Sequence, residues 1–301
     1  DLNLILADPL VEIVDICLPP PLHVPIALQA LAQGKNVILE KPIAGSLHDA
    51  DKLLAAEAEA SGKIFPVFQY RYGRAFDIID ELRNAGFLSR PLTASLETHW
   101  DRREDYYEIP WRGTWKHELG GAVLSHAIHA HDLLSLVFGR IGRVSAFAST
   151  RANPIETEDC VSISFRLENG ATATSSITLG AAGNVSRLKF VFSDLTIESD
   201  SSEAFAYTPG EGNWTFKARD VARQQDVDDI IAATTIGPEG FEGFCSAVAD
   251  ALDGRSGTEV TLQQGIDAIE LATAIYHSDR TGSQVSLPLD RKLSICAGLA
   301  P

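Results

Sequence analysis

The 301-residue chain is 45% hydrophobic and 22% charged and carries a formal net charge of −16, a composition that predicts folded domains with a substantial core. The negative charge would repel phosphate backbones and anionic membranes, which argues against a nucleic-acid or membrane partner. No stretch approaches the roughly 18 apolar residues of a membrane span, and no signal peptide is visible. Four cysteines are scattered without a CxxC pair, so we expect buried thiols in a reducing, cytoplasmic compartment. They are Cys17, Cys160, Cys245 and Cys296.

The beginning of the sequence is unusual, because the chain contains no methionine and Asp1–Asp8 already resembles the end of a helix. We therefore expect that residue 1 is not the natural start. No G-x-G-x-x-G occurs in the sequence, since Gly120-Gly121 follows no strand pattern and the glycines within 209–212 lie in a polar loop. The glycine fingerprint of a dinucleotide-binding domain is thus absent from this sequence.

The first 68 residues alternate short apolar runs with helical patterns. Such alternation predicts a right-handed βαβ arrangement around a parallel sheet. Ser46 is a natural N-cap for the second helix, and Gly34 and Gly62 are natural stops. The predicted elements are strands over 13–18, 36–39 and 64–68 and helices over 22–33 and 47–61. This segment is therefore interpreted as the second half of a doubly wound parallel sheet.

Glu40-Lys41-Pro42 stands at the end of the buried strand predicted over 36–39. Ligands of open α/β sheets bind beyond the carboxyl ends of the strands. Pro42 ends the strand because it has no N–H to offer to a ladder. Glu40 and Lys41 are therefore candidates for a site at the sheet edge. A solvated ion pair in a loop is the alternative.

The remainder of the chain has a different pattern, in which sequential strands predict a mostly antiparallel sheet. Asn169-Gly170 is the strongest hairpin signal. Strands are predicted over 92–100, 143–150, 160–167, 171–178, 187–192, 196–198 and 284–289, helices over 74–85, 118–138, 240–253 and 262–281, and irregular structure over 200–236.

A long loop over 101–117 concentrates aromatic and charged side chains. Loops of this length inside a domain are commonly functional. Tyr106 and Tyr107 are candidates to cover a pocket. The charges at its start are interpreted as solvated, and contacts of Arg102 and Arg103 with an anionic substrate are the less favoured alternative.

The helix predicted over 118–138 carries Ser125, His129 and Asp132 within an arc of roughly 60°. His129 is a candidate general acid/base because imidazole titrates near neutral pH. In this interpretation Asp132 would orient His129, and Gly120-Gly121 would allow a ligand to approach the backbone. The alternative is a histidine buried in the core.

The same helix carries His126 and His131, which raises the question of a metal site. On an ideal helix His131 points away from the face of His129, and His126 lies to one side. The three rings would not converge on one ion, and there is no HExxH motif. We therefore expect no metal.

These features together resemble the glucose–fructose oxidoreductase/inositol dehydrogenase (Gfo/Idh/MocA) family. The resemblance covers nearly the whole chain and depends on the order of motifs, since each alone is weak. The motifs are Pro19…His23, Glu40-Lys41-Pro42, Gln69-Tyr-Arg-Tyr72, Trp111-Arg112, Gly120-Gly121…His129…Asp132, Glu158-Asp159, and Ala274-Ile-Tyr276 leading to Val285-Ser-Leu-Pro288.

The resemblance implies an α/β plus α+β protein: a partial Rossmann doubly wound parallel sheet, followed by a domain with a large, mostly antiparallel open sheet and flanking helices. The first domain would span 1–68, and a substrate-binding and oligomerisation domain would span 69–301. The family implies oxidation or reduction, with NAD or NADP, of a hydroxyl or carbonyl carbon in a sugar, cyclitol or similar small molecule. It also implies a homodimer or homotetramer.

By the same resemblance, Lys41 is a catalytic residue and His129 the acid/base, while Ser125 stands where the family often has Asp. A serine can donate a hydrogen bond to a substrate hydroxyl but supplies no carboxylate. The residues implied to line the cofactor are Pro19, His23, Glu40 and Lys41, together with Trp111 and Arg112.

Three functions follow as hypotheses. The first is a nicotinamide-dependent oxidoreductase, in which Lys41 and His129 handle the proton that accompanies hydride transfer. The second is a non-catalytic, regulatory protein that binds NAD(P) or a sugar with the same fold. The third, a metal-dependent hydrolase, is disfavoured by the helical geometry of the histidines.

Overall fold

A computed structural model describes residues 1–255 and 257–301 of the chain. Helices in chain order are α1 (Leu2–Ala7), α2 (His23–Ala32), α3 (Leu47–Glu59), α4 (Arg74–Asn84), α5 (Glu104–Tyr107), α6 (Ala122–Ser125), α7 (Ile128–Phe138), α8 (Gln224–Ala233), α9 (Gly240–Leu252) and α10 (Leu262–Thr281). Strands are β1 (Ile13–Ile16), β2 (Asn36–Leu39), β3 (Ile64–Pro66), β4 (Pro91–Asp101), β5 (Ile141–Ser149), β6 (Cys160–Leu167), β7 (Thr172–Thr178), β8 (Gly180–Phe192), β9 (Leu195–Glu198), β10 (Thr215–Ala218) and β11 (Val285–Ser286).

The first sheet is parallel, in the order β1-β2-β3. Val37 of the central strand pairs with Val14 on one side and Ile64 on the other. Helix α2 connects β1 to β2, and α3 connects β2 to β3, as predicted. Ser46 caps α3, its hydroxyl accepting a hydrogen bond from the Asp49 N–H. The predicted parallel half-sheet is confirmed.

The second sheet has eight strands in the order β10-β9-β8-β4-β7-β6-β5-β11. Only β4 and β7 pair in parallel among these neighbours, which confirms a mostly antiparallel sheet. The hairpin between β6 and β7 turns at Asn169-Gly170, where Gly170 has a φ of 89°. Along β6, alternate residues are buried, because one face of the sheet is covered by helices.

The single helix predicted over 118–138 is wrong. Helix α6 ends at Ser125, His126 leaves the helical region with a φ of −122°, and α7 begins at Ile128. The Ala127 N–H donates to the Ala122 carbonyl five residues back. The Ser125 hydroxyl donates to the Gly121 carbonyl at 2.7 Å, a back-bond that bends helices. Wide turns of this kind occur inside helices, often at functional sites.

The irregular structure predicted over 200–236 is also wrong in part, because the segment contains β10 and α8. Strand β10 adds an edge to the second sheet and buries Phe216 and Ala218, while α8 buries Val227. These elements are short and flanked by polar residues, so their hydrophobic pattern is weak.

The cysteines do not behave as predicted. Cys17 and Cys245 are exposed, Cys160 is half-buried, and only Cys296 is buried. All four thiols are unpaired within the described residues. In the described ranges, no helix combines the length and the apolar character needed to cross a membrane.

The core is continuous between the two sheets. One cluster of buried side chains includes Val37 and Leu39 of the parallel sheet together with Leu96 and Phe190 of the antiparallel sheet. The proposed division at residues 68 and 69 therefore stays a prediction. What the packing does establish is that the end of β2 lies against the segment carrying α6 and α7, since Lys41 contacts Ser125 there.

Candidate active site

Lys41 joins the two parts of the fold. The buried side chains of Val37 and Leu39 fix β2, so the next two residues emerge at the carboxyl end of the strand. The Lys41 Nζ donates a hydrogen bond to the Ser125 carbonyl at 2.7 Å. The ammonium of Lys41 is thereby held at the break between α6 and α7.

Burial lowers the pKa of the Lys41 ammonium below that of an ordinary lysine. The carboxylates of Glu40 and Glu118 oppose this shift, and the positive charge of Arg112 adds to it. Burial also raises the pKa of the Glu40 carboxyl, against the charge of Lys41. A lysine with a lowered pKa exchanges its proton nearer to neutral pH, as an acid/base group must.

His126 lies inside a chain of hydrogen bonds. The Ser125 hydroxyl has one hydrogen, which it donates to the Gly121 carbonyl. It therefore accepts a hydrogen bond from His126 Nδ1 at 2.7 Å. His126 Nε2 must then accept from the Tyr106 hydroxyl, which lies 3.2 Å away. This network assigns the hydrogen of His126 to Nδ1.

The network also changes the prediction for Ser125. Its hydroxyl hydrogen is used on the Gly121 carbonyl, so it is not available to a substrate hydroxyl. Burial, and then the charge of Lys41, lower the pKa of His126 well below its ordinary value. A neutral His126 agrees with the hydrogen-bond assignment.

His129 is buried and lies flat against an aromatic ring. The rings of His129 and Tyr70 stack with centroids 4.3 Å apart, and the edge of Phe68 contacts the imidazole at 5.6 Å. Its Nδ1 is buried and has no hydrogen-bond partner within residues 1–255 and 257–301. Burial, followed by the charge of Lys41, holds the pKa of His129 well below its usual range. A buried polar atom without a partner requires an explanation, and a bound ligand is one.

The prediction that Asp132 orients His129 is wrong. Both carboxylate oxygens of Asp132 accept from Arg71, from Nε at 2.7 Å and from Nη2 at 2.5 Å. The Arg71 Nη1 also donates to Gln264 at 2.9 Å. A planar guanidinium matches both oxygens of a carboxylate, so it outcompetes a histidine one turn away. His129 is instead held by stacking on Tyr70.

Gly120-Gly121 serves the protein and not a ligand. A Cβ on Gly121 would lie 2.2 Å from the Glu158 carbonyl oxygen, and one on Gly120 would lie 2.9 Å from the Tyr276 hydroxyl. The Glu158 carboxylate accepts from the backbone N–H groups of Gly121 and Val123 and from Tyr276. This buried carboxylate anchors the start of α6. The predicted approach of a ligand to these glycines is therefore wrong.

Trp111 and Arg112 are half-buried in the loop between α5 and α6. The Arg112 guanidinium lies 3.7 Å from the centroid of the Tyr106 ring and 5.1 Å from that of Trp111. Its Nε is buried and lacks a hydrogen-bond partner in the part of the chain that the structure describes. A cation at this position is available to an anionic ligand.

His23 and Pro19 lie at the end of β1. The two ring nitrogens of His23 contact backbone carbonyls, Nδ1 with Pro42 at 2.8 Å and Nε2 with Leu18 at 2.6 Å. His23 therefore connects the two strand ends and has no ring nitrogen left for a cofactor. Pro19 is exposed beside it. Because ligands of open α/β sheets bind beyond the carboxyl ends of the strands, these residues lie where a dinucleotide would bind.

No group of metal-binding side chains is found in the described ranges. His131 points into the second sheet, where its Nε2 contacts the Ser175 hydroxyl at 3.0 Å. A cavity of about 200 Å³ lies beside Arg71, Asp132 and Gln264. Its lining does not include Lys41, so it is separate from the candidate site.

Two residues of the site, Tyr70 and Glu118, were not predicted from the sequence. Tyr70 belongs to the Gln69–Tyr72 motif, and only the three-dimensional packing places it on His129. Glu118 is buried and accepts from the Gly113 N–H at 2.6 Å. Its position before Gly120-Gly121 is the one available signal, although an isolated glutamate there has no distinctive pattern.

Comparison with known families gives two matches that together span most of the chain. Residues 1–68 match the oxidoreductase family with an NAD-binding Rossmann fold, which confirms the predicted nicotinamide cofactor. Residues 76–198 match the C-terminal domain of the GFO/IDH/MocA proteins.

Individual relatives agree with these matches. An uncharacterized oxidoreductase of Synechocystis is 29% identical over 196 residues, which cover 61% of this chain and 53% of the relative. Levoglucosan dehydrogenase of Pseudarthrobacter phenanthrenivorans is 24% identical over 215 residues, covering 63% and 55%. The chain thus spans about half the length of the curated relatives it matches.

Solved structures show the same fold. The WlbA dehydrogenase from Bordetella pertussis, in complex with NADH and UDP-GlcNAcA, has a TM-score of 0.82 at 26% identity, covering 96% of this chain and 84% of the other. Levoglucosan dehydrogenase in complex with NADH has a TM-score of 0.77 at 22% identity, covering 96% and 83%. The strand-end lysine, the histidine segment and these matches together show that the chain belongs to the GFO/IDH/MocA oxidoreductase family.

Proposed function

We propose that the protein is an NAD(P)-dependent oxidoreductase that acts on a hydroxyl or carbonyl carbon of a sugar, cyclitol or related small molecule. The observation that carries the proposal is the position of Lys41. Its ammonium lies at the carboxyl end of a parallel strand, has a lowered pKa, and bonds to the segment that holds His126 and His129. Active sites combine these properties, because they must hold a perturbed acid/base group where a ligand binds.

When bound, the nicotinamide supplies or accepts the hydride. In the oxidation direction, the neutral amine of Lys41 takes the proton that leaves the substrate hydroxyl. In the reduction direction, the ammonium of Lys41 returns that proton to the carbonyl oxygen and stabilises the developing negative charge. The lowered pKa keeps His129 neutral, and within the described residues no hydrogen bond occupies either ring nitrogen, so the imidazole would be able to take up or pass on the same proton.

The other candidate residues would position the cofactor and the substrate. Pro19 and Glu40, beside the strand ends, would border the cofactor, and Trp111 and Arg112 of the loop would lie against it. His23 holds the ends of β1 and β2 in position without contacting the cofactor through its ring nitrogens. Ser125 contributes through its carbonyl, which fixes Lys41, and not as a donor to the substrate.

The class of substrate is supported by relatives. Levoglucosan dehydrogenase acts on a sugar by its name, and the WlbA dehydrogenase was crystallised with a nucleotide-linked sugar. We also propose that the protein is a cytoplasmic homodimer or homotetramer, associating through the open sheet, where Phe147 of β5 is 78% exposed. Light scattering on the purified protein tests this association.

Turnover is tested by following NADH absorbance with a panel of aldoses, cyclitols and their keto derivatives, with NAD and NADP in parallel. We expect turnover with at least one compound and a preference for one cofactor. Stoichiometric binding of NADH or a sugar without any turnover would instead support a regulatory protein of the same fold.

A further inference from the structure

Arg102 follows β4 and is held among aromatic rings. Its guanidinium carbon lies 4.9 Å from the ring centroid of Trp100, 5.1 Å from that of Tyr106 and 5.3 Å from that of Tyr207. Cation–π contacts with three rings fix the position of the guanidinium without neutralising its charge. The side chain is half-buried and therefore partly removed from water.

The hydrogen bonds of Arg102 leave one edge of the guanidinium unused. Nη1 donates to the Asp101 carbonyl at 2.8 Å, to Asn184 Oδ1 at 3.2 Å and to the Tyr207 hydroxyl at 3.1 Å. All three acceptors are neutral. Nε is buried and has no hydrogen-bond partner within the described residues. The nearby Asp101 carboxylate is already paired with Arg103.

Arg71 shows what that edge does when a carboxylate is present. There, Nε and Nη2 donate side by side to the two oxygens of Asp132. Arg102 Nε has no acceptor in the described part of the chain, and the groups that accept from Arg102 Nη1 are uncharged. A partly buried charge is unfavourable unless it is paired, so the protein accepts a cost here that a bound anion would offset.

The free edge lies next to the proposed proton-transfer groups. Tyr106, on which Arg102 packs, contacts His126 Nε2 at 3.2 Å, and the charge of Arg102 helps to lower the pKa of His126. Arg112 stacks on Tyr106 as well. The charges around this region are those of Lys41, Arg102 and Arg112, opposed by Glu40 and Glu118.

We propose that Arg102 binds an anionic group of the substrate, a carboxylate or a phosphate, through its Nε–Nη2 edge. The substrate class is therefore an acidic sugar or polyol derivative, bound with its anionic group on Arg102 and its reacting carbon toward Lys41. This inference rests on the proposed function and makes its substrate class narrower. It concerns a local cationic region on a chain whose net charge is −16.

The test compares matched sugars that differ at C6, where one member of each pair carries an anionic group. Glucose, galactose and mannose are each assayed beside their uronic acids and 6-phosphates, with turnover followed by NADH absorbance and binding to the NADH-loaded protein by calorimetry. We expect kcat/KM and affinity to favour an anionic member of each pair. Preference for the uronic acids identifies a carboxylate, and preference for the 6-phosphates identifies a phosphate.

Variants identify the residue responsible. Arg102→Met should raise KM for the acidic sugar by about 10- to 100-fold, because a charge-assisted pair is lost. The loss should be larger for the acidic sugar than for its neutral partner, because the neutral sugar has no anionic group to pair with Arg102. Arg102→Lys should have an intermediate effect, since it keeps the charge and loses the fork. Arg90→Met, at an exposed arginine in a different segment, is the control. Thermal unfolding verifies that each variant is folded. If Arg102→Met does not fold, the KM of Arg102→Lys for the acidic sugar is the deciding measurement.

The outcomes separate the two proposals. Turnover without preference for anionic sugars, or a preference that survives both Arg102 variants, overturns this inference and leaves the oxidoreductase proposal intact. Arg102-dependent binding of an acidic sugar without turnover of any compound supports this inference and contradicts the oxidoreductase proposal. Neither turnover nor binding with any of these compounds overturns both.

Discussion

Two arginines, Arg71 and Arg102, show how the same side chain serves structure in one place and function in another. Arg71 is buried, and its fork is satisfied by Asp132 and Gln264. Arg102 is held by aromatic rings and neutral oxygens, and its Nε is left without an acceptor in the described residues. The first arrangement is complete without a ligand, whereas the second is not.

The difference extends to the groups around each arginine. The carboxylate of Asp132 accepts from Arg71, and that of Glu158 accepts from the Val123 N–H at the start of α6. On the side of Arg102, the unpartnered atoms include Nε of Arg112 and Nδ1 of His129, and Lys41 has a lowered pKa. Satisfied polar groups stabilise the fold, and unsatisfied ones mark the place where a ligand completes it.

The largest expected effect is the loss of catalytic rate when Lys41 is removed. Lys41→Ala should lower kcat by about 10²- to 10⁴-fold, the usual contribution of a general acid/base, without unfolding the protein. Steady-state assays and circular dichroism measure the two effects. Lys63→Ala, at an exposed lysine, is the control. Turnover by Lys41→Ala within a few-fold of the unmodified protein would show that Lys41 is not the acid/base group.

Asp132→Ala should lower the free energy of unfolding and leave the chemical step of the reaction unaffected. It leaves the Arg71 guanidinium buried without its carboxylate, at a cost of about 3–5 kcal/mol. Urea unfolding measures the loss. Asp80→Ala, which removes the partner of Arg83 in an exposed pair, should cost about 0–1 kcal/mol. Equal losses in the two variants would contradict the contrast between the buried and exposed pairs.

Gly121→Ala tests the close approach that anchors α6. The added Cβ would lie 2.2 Å from the Glu158 carbonyl oxygen, so the backbone must shift. We expect a loss of about 1–3 kcal/mol in the free energy of unfolding, as for other overpacked sites. Gly298→Ala is the matched control, because its Cβ would meet nothing within 4 Å. Indistinguishable unfolding curves for the two variants would remove this role for Gly121.

The smallest effect concerns the pH dependence of stability. Burial raises the pKa of the Glu158 carboxyl to about 7, although Val123, Tyr276 and Gly121 donate hydrogen bonds that oppose the shift. The folded pKa lies above the unfolded value of about 4.3. The favourable contribution of Glu158 is therefore complete below that value and is lost as the pH rises through about 7.

Comparison with Glu158→Gln measures how much the titration of Glu158 contributes to the pH dependence of stability. Stability curves of the two proteins between pH 4.5 and 8 should differ in slope, with the unmodified protein losing more stability as the pH rises. Other buried groups, such as His129 with its lowered pKa, contribute equally to both proteins and cancel in the difference. Parallel curves would mean that Glu158 titrates at its ordinary value.

Much of the fold was predictable because it depends on local patterns. The run over 36–39 followed by Glu40-Lys41-Pro42 predicts a buried strand with charges at its end, and the structure has that strand. Asn169-Gly170 likewise predicts the hairpin between β6 and β7. These features follow from hydrophobic period and turn chemistry, which neighbouring residues determine.

The site was less predictable, since its partners come from distant segments. Ideal helical geometry placed His129 beside Asp132, but Arg71, 61 residues earlier, takes that carboxylate. The same geometry assumed an unbroken helix, whereas the turn at His126 moves its ring toward Tyr106. Arg102 was interpreted as solvated because the sequence does not show which rings surround it.

The proposed function requires Lys41 to exchange a proton, and a titration of the Lys41 side chain measures this property directly. The pKa of each lysine is measured by heteronuclear NMR on protein labelled at lysine, with Lys41→Arg assigning the signal and exposed Lys63 as an internal reference. We expect Lys41 to lose its proton at a lower pH than Lys63, because burial disfavours the ammonium. A pKa for Lys41 equal to or above that of Lys63 would contradict it.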